Sequence, residues 1–137
     1  MTTTAARSTG RSTGSAGALR ALQVGALLGV LSVVWQFVTA GHYLTDGSWL
    51  GAHSGGAVVL HVLTGLAALA AIWWRVSGGR TWVAVLAVAT FALTFLQAWS
   101  GDHAPLSVHV PLSLTVVGGT VWLLVASLGR RPASGTA

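Results

Sequence analysis

The stretch "AVVLHVLTGLAALAAIWW", Ala57–Trp74, is apolar on every side. A membrane-spanning β-strand alternates apolar and polar residues over about 10 positions. This run does not alternate, so it reads as a helix. Charge then decides its solvent: a soluble domain carries about 25% charged residues, whereas only 7% of this chain is charged. A helical span needs about 20 mostly apolar residues. Four runs of that length lie at about 19–41, 54–74, 81–100 and 106–128. Together they form one membrane domain over 18–129, joined by short links at about 41–53, 76–80 and 101–105. Short links make successive helices antiparallel neighbours. The expected fold is all-α, a polytopic antiparallel four-transmembrane-helix bundle.

Outside the spans the chain is polar. Residues 1–17, "MTTTAARSTGRSTGSAG", are rich in Ser, Thr, Gly and Arg with no apolar period, which predicts a disordered cytoplasmic tail rather than a cleaved leader. Residues 130–137 form a second short tail in which Pro132 and Gly135 oppose helix.

The net charge of +5 comes from seven arginines, with no lysine. Arg7, Arg11 and Arg20 precede or open the first span, Arg75 and Arg80 flank the second link, and Arg130 and Arg131 follow the fourth span. The other two links contain none. This is the positive-inside pattern, and it places both termini and the middle link in the cytoplasm. Arginines confined to one membrane face argue against nucleic-acid binding; the bilayer is the partner they imply. The arginine-only basicity and the abundance of Ala and Gly fit a GC-rich genome, hence a bacterial plasma membrane. Trp49 and Trp99 fall at the outer boundary and Trp73, Trp74 and Trp82 at the inner one, as interfacial belts do. Gly25 and Gly29 form a GxxxG, which permits close helix contact within the bundle, in a homo-oligomer or in a larger membrane complex.

The chain has no cysteine, which excludes disulfides, CxxC chemistry and thiolate-bound metal or iron–sulfur clusters. No Asp, Glu, Lys or Arg lies deep in a span, which weighs against a proton-coupled exporter or channel. No acid–base or nucleophile constellation is visible, and no catalytic residue is assigned. The polar residues within the spans are chiefly Gln23, Gln36, His61, Gln97 and His109, with His53 at an edge.

Two of the histidines match. "DGSWLGAH" ends at His53 and "DHAPLSVH" ends at His109, each with an acid seven residues earlier. His53 lies 22 residues before Arg75 and His109 lies 21 before Arg130. At ~1.5 Å per residue each stands about 30 Å from the arginine boundary. They open the second and fourth helices, which sit diagonally in a bundle. Gln36 and Gln97 close the first and third, each shortly before a glycine, Gly41 or Gly101. The chain therefore reads as two pseudo-repeated helical hairpins. Two neutral imidazoles at one depth on opposing helices can hold a haem iron axially, making His53 and His109 the candidate ligands of a b-type haem. Gly55, Gly56 and Ser113 would leave room, and Phe37, Phe95 or Trp99 could line it. The competing reading is interfacial, with both imidazoles hydrogen-bonded to loop backbone, water or head groups.

His61, about 12 Å deeper than His53, is the alternative partner for His109, or else a hydrogen-bonding residue toward Gln36, Gln97 or Thr64. His42 and His103 share the outer links with Asp46 and Asp102. They are read as solvated, with a divalent-metal site or an outer-shell hydrogen bond to a ligating histidine as alternatives.

The segment "VHVPLSLTVVGGTVWLL", with His109 near its start, resembles the fourth helix of one half of haem A synthase. That resemblance implies a four-helix half-bundle with haem-ligand histidines near the outer ends of helices two and four, carried here by His53 and His109. The second-helix segment here is "GAHSG", with no glutamate in the chain and no loop cysteines. What carries over is thus a haem-holding half-bundle, with haem A synthesis itself outside it. The chain also resembles small four-helix bacterial membrane proteins whose first helix ends in a QFxxAG pattern, here Gln36–Gly41, and that resemblance implies fold and topology only. The functional expectation is a haem-holding membrane protein serving electron transfer or sensing. Its alternatives are a non-catalytic packing or assembly subunit and a small-molecule transporter.

Overall fold

A computed structural model describes residues 6–129, with side chains from Gly14 onward. It contains α1 (Ala6–Asp46), α2 (Leu50–Val76), α3 (Thr81–His103) and α4 (Leu106–Leu128). Residues 1–5 and 130–137, including Arg130 and Arg131, lie outside the described residues. All four helices are long and apolar enough to cross a membrane. Their outward faces are hydrocarbon: Val58, Leu69, Val85 and Val125 are each more than 60% exposed. In water such a surface would be a continuous apolar patch; in lipid it faces its own kind, while the helix satisfies its backbone internally. The protein is an all-α, multi-pass integral membrane protein.

The helices form a ring in chain order. Each packs on its sequence neighbours, and α1 closes against α4. The α1–α2 contact is the most extensive and α1–α4 the least, and α2 and α4 lie diagonally.

Both ends of α1 lie well beyond expectation. Gly41 was expected near the end of the first helix, yet α1 runs on to Asp46, and the link shrinks to residues 47–49. Gly41 projects into open space, where nothing blocks the helix. The stop is Gly47, whose φ of +74° is left-handed and whose N–H donates to the Tyr43 carbonyl at 3.0 Å, as a glycine C-cap does. Asp46 Oδ1 accepts the Ser48 N–H at 2.8 Å and holds the turn. At the other end, α1 already runs from Ala6, so helical backbone extends into the segment expected to be a loose tail. A helix leaving the bilayer loses no backbone bonds by continuing, and the apolar run does not set its length.

The arginine end of the bundle is packed with small residues. Ala18, Leu22, Ala67, Ala71, Val83 and Ala87 are among its buried core. Gly25 allows the close approach there: a Cβ on it would stand 3.2 Å from both Cα and Cβ of Ala67. Gly29 is buried too, so the GxxxG glycines face α2 and the interior. Trp74 departs from the expected belt. It is 4% exposed and its indole packs on Gly79 in the α2–α3 turn, whereas Trp73 and Trp82 face outward. Midway along, Thr64, Thr94 and Thr120 are buried, each hydroxyl donating to a carbonyl of its own helix. That internal bond is how Thr crosses hydrocarbon at little cost. The core near the histidine end is sparse, a cluster of Val33, Leu60 and Val116.

Candidate functional site

At the histidine end each hairpin builds the same trio of glutamine, hydroxyl and imidazole. In the first, α1 presents Gln36 and, three residues on, Thr39, while His53 stands in the first turns of α2. Thr39 is fully buried. Its Oγ1 lies 3.1 Å from the Trp35 carbonyl and 3.0 Å from that of Gln36, and 3.1 Å from His53 Nδ1. A hydroxyl has one hydrogen and two lone pairs. With the hydrogen on a helix carbonyl, Oγ1 accepts the Nδ1–H of His53. In that arrangement Nε2 keeps its lone pair. Gln36 Nε2 donates to the His53 carbonyl at 3.1 Å. Gly56 makes this reach possible, because a Cβ there would come within 2.7 Å of Gln36 Nε2 and 2.9 Å of Trp35 Cδ1.

In the second hairpin α3 presents Gln97 and, three residues on, Ser100, while α4 carries His109. Ser100 is 1% exposed. Its Oγ donates to the Gln97 carbonyl at 2.8 Å and lies 3.0 Å from His109 Nδ1. In the same arrangement, with the Ser100 hydrogen on the Gln97 carbonyl, His109 carries its proton on Nδ1. Here the glutamine does something different. Gln97 Nε2 lies 3.1 Å from His109 Nε2 and 3.2 Å from Nδ1. With Nδ1 protonated, the amide can donate only to the Nε2 lone pair. This leaves Gln97 Oε1 buried without a hydrogen-bond partner. The His109 ring rests on the backbone of Gly101, where a Cβ would stand 3.1 Å from its Cε1.

The hydroxyls were not among the residues singled out in the sequence. The signal was the spacing Gln-x-x-Thr in "QFVT" and Gln-x-x-Ser in "QAWS", which recurs with the hairpin. Of the residues expected to leave or line a space, Gly56 meets Trp35 and Gln36, and Ser113 back-bonds to Val110 at 2.6 Å. Gly55 has nothing within 4 Å. Phe37, Phe95 and Trp99 are each about half exposed.

His61 stands apart from the trios. Its Nδ1 lies 2.7 Å from the Ala57 carbonyl of its own helix, and its ring meets Phe95 of α3 edge-on at 4.4 Å. It makes no hydrogen bond to His109, Gln36 or Gln97 among the described residues, and Thr64 bonds only backbone. His42 and His103 are exposed, stacked on Trp49 at 4.4 Å and on Trp99 at 5.3 Å. Among the described residues no three of His, Asp or Glu converge as a metal site would require. The links therefore do not assemble the two-His, two-Asp metal site considered from the sequence.

The chain matches no family model, no curated protein and no solved structure. The functional reading rests on the residues themselves.

Proposed function

We propose that the histidine end of the bundle holds one b-type haem between His53 and His109, for electron transfer or redox sensing. The carrying observation is that both imidazoles, one on each of two diagonal helices, have Nδ1 tied to a buried hydroxyl. An Nδ1–H bonded to an oxygen acceptor is the usual support of a ligating histidine: it sets ring orientation and raises the basicity of Nε2. Two imidazole donors at this end suit the group, and the chain has no cysteine thiolate to compete with them. Held by His53 and His109, a haem would supply one-electron chemistry.

The chain's own residues orient and insulate. Thr39 and Ser100 hold the imidazoles, Gly101 lets the His109 ring seat, Gly56 lets Gln36 reach the His53 carbonyl, and Gln97 must release His109 Nε2 before that nitrogen can bind anything else. The arginine distribution supports both termini inside and this site at the outer leaflet, and the arginine-only, Ala- and Gly-rich composition supports a bacterial plasma membrane.

The test is the visible spectrum of protein purified in mild detergent from haem-replete cells, oxidised and then reduced with dithionite. A Soret shift and a sharp α-band on reduction are expected, lost in His53→Ala and in His109→Ala and retained in His61→Phe. A colourless protein that stays colourless after haem is added overturns the reading.

A further inference from the structure

His61 carries an acceptor that nothing in the described structure uses. A backbone carbonyl only accepts, so the 2.7 Å contact of Nδ1 with the Ala57 carbonyl places the imidazole proton on Nδ1. Nε2 of the neutral ring is then a bare lone pair. The nearby hydroxyls offer it no hydrogen: Thr64 donates to Leu60 at 2.7 Å and Thr94 to Phe91 at 2.6 Å, both along their own helices. In water, solvent would meet this nitrogen. His61, however, is eight residues below His53 and 14 above Arg75, about 12 Å and 21 Å along the helix axis. That is inside the hydrocarbon layer, where an unmet polar atom is costly.

The surroundings say what could meet it. The ring stands edge-on to Phe95 with centroids 4.4 Å apart, and Phe95 is itself edge-on to Phe91 at 5.0 Å. Gly65, one turn below His61, lets Phe91 lie against α2, since a Cβ there would be 3.1 Å from the Phe91 ring. The seam between α2 and α3 is thus an aromatic wall. It faces the membrane: Phe95 is 52% exposed. Nor is the nitrogen sealed in, because the fully enclosed unpartnered side-chain atom among the described residues is Gln97 Oε1.

We infer that His61, with Phe95 and Phe91, forms a lipid-facing binding site for a membrane-soluble ring bearing a phenolic hydroxyl, of the quinol class. The hydroxyl donates to Nε2 and the ring packs on the phenylalanines. A hydroxyl supplies the missing donor, an aromatic ring suits the wall, and only a lipid-soluble molecule reaches this depth. The inference does not depend on haem at His53 and His109, and it uses His61 for a different purpose.

The protein is labelled with ¹⁵N-histidine, placed in phosphatidylethanolamine–phosphatidylglycerol nanodiscs, and titrated with a short-chain naphthoquinol and with its dimethyl ether. The His61 Nε2 resonance, assigned with His61→Phe, is expected to shift with the quinol and not with the ether. Quinol affinity should fall about five- to tenfold in His61→Phe, the worth of one hydrogen bond, and should also weaken in Phe95→Leu on the exposed face. Haem content, where present, stays unchanged in both variants. No shift, an equal shift with the ether, or undiminished affinity in His61→Phe overturns the assignment. So does loss of haem in His61→Phe, which would make His61 a ligand instead.

Discussion

The two hairpins use the same three residue types at the same end of the bundle and finish with different hydrogen bonds. In α1–α2 the glutamine braces the backbone of the histidine and Thr39 alone holds the ring, so His53 Nε2 stays free. In α3–α4 the glutamine has turned onto the ring: His109 has two side-chain partners, and Gln97 strands its own carbonyl. Packing explains the difference. The first hairpin is drawn together along its length, by Gly25 against Ala67 near one end and by Gly56 against Trp35 and Gln36 near the other. That brings Gln36 within reach of the α2 backbone. At Gly101 it is the His109 ring that lies on α3, and the ring intercepts the amide. Repeated sequence therefore yields one restrained, available imidazole and one engaged one.

The sharpest way to break this comparison is to remove the hydroxyls. Thr39→Val leaves the Nδ1–H of His53 with no partner and should destabilise the bundle by about 2 kcal/mol. Ser100→Ala, with Gln97 still beside the ring and able to re-pair, should cost about 1 kcal/mol. Reversible unfolding of each variant in mixed micelles measures the difference, and equal losses would mean the trios are equivalent. The glutamines come next. Gln36→Leu should cost about 1 kcal/mol for its bond to the His53 carbonyl. Gln97→Leu should be close to neutral in the same assay, because it removes a stranded buried acceptor along with a donor; it should also raise haem uptake by freeing His109 Nε2. A loss in Gln97→Leu as large as that in Gln36→Leu would put a donor on Oε1 and dissolve the contrast.

The counterpart glycines give effects of opposite sign. Gly41→Ala places a methyl in open space on a helix and should stabilise by about 0.5 kcal/mol. Gly101→Ala presses on the His109 ring and should cost about 1 kcal/mol. A gain at both positions would show that His109 is not seated against α3.

Much of the site was legible in the chain, and what was not has a specific cause. The matched histidines and glutamines stood out because polar side chains are rare in lipid-spanning runs. Thr39 and Ser100 did not, because a threonine or serine in a membrane helix ordinarily satisfies itself on its own backbone, as Thr64 and Thr120 do here. Only a neighbouring helix at the right height gives the remaining lone pair a use. The first helix outruns its apolar run, which ends near Gly41, for a related reason: a glycine marks an end only if its backbone turns left-handed, and Gly47 does so instead. Trp74 read as an interfacial residue from its position along the span. Its rotation about the helix axis turns it inward, while adjacent Trp73 faces out.

Composition and period by themselves determined that this chain is a bundle of four membrane helices, because a backbone in hydrocarbon must bond within its own helix whatever its neighbours do. They also put His53 and His109 at one height, since rise per residue is fixed. Which atoms those imidazoles meet was decided only by tertiary structure. Side-chain partners depend on how close two helices come and how each is rotated, and glycines as far along the chain as Gly25, Gly56 and Gly101 set both.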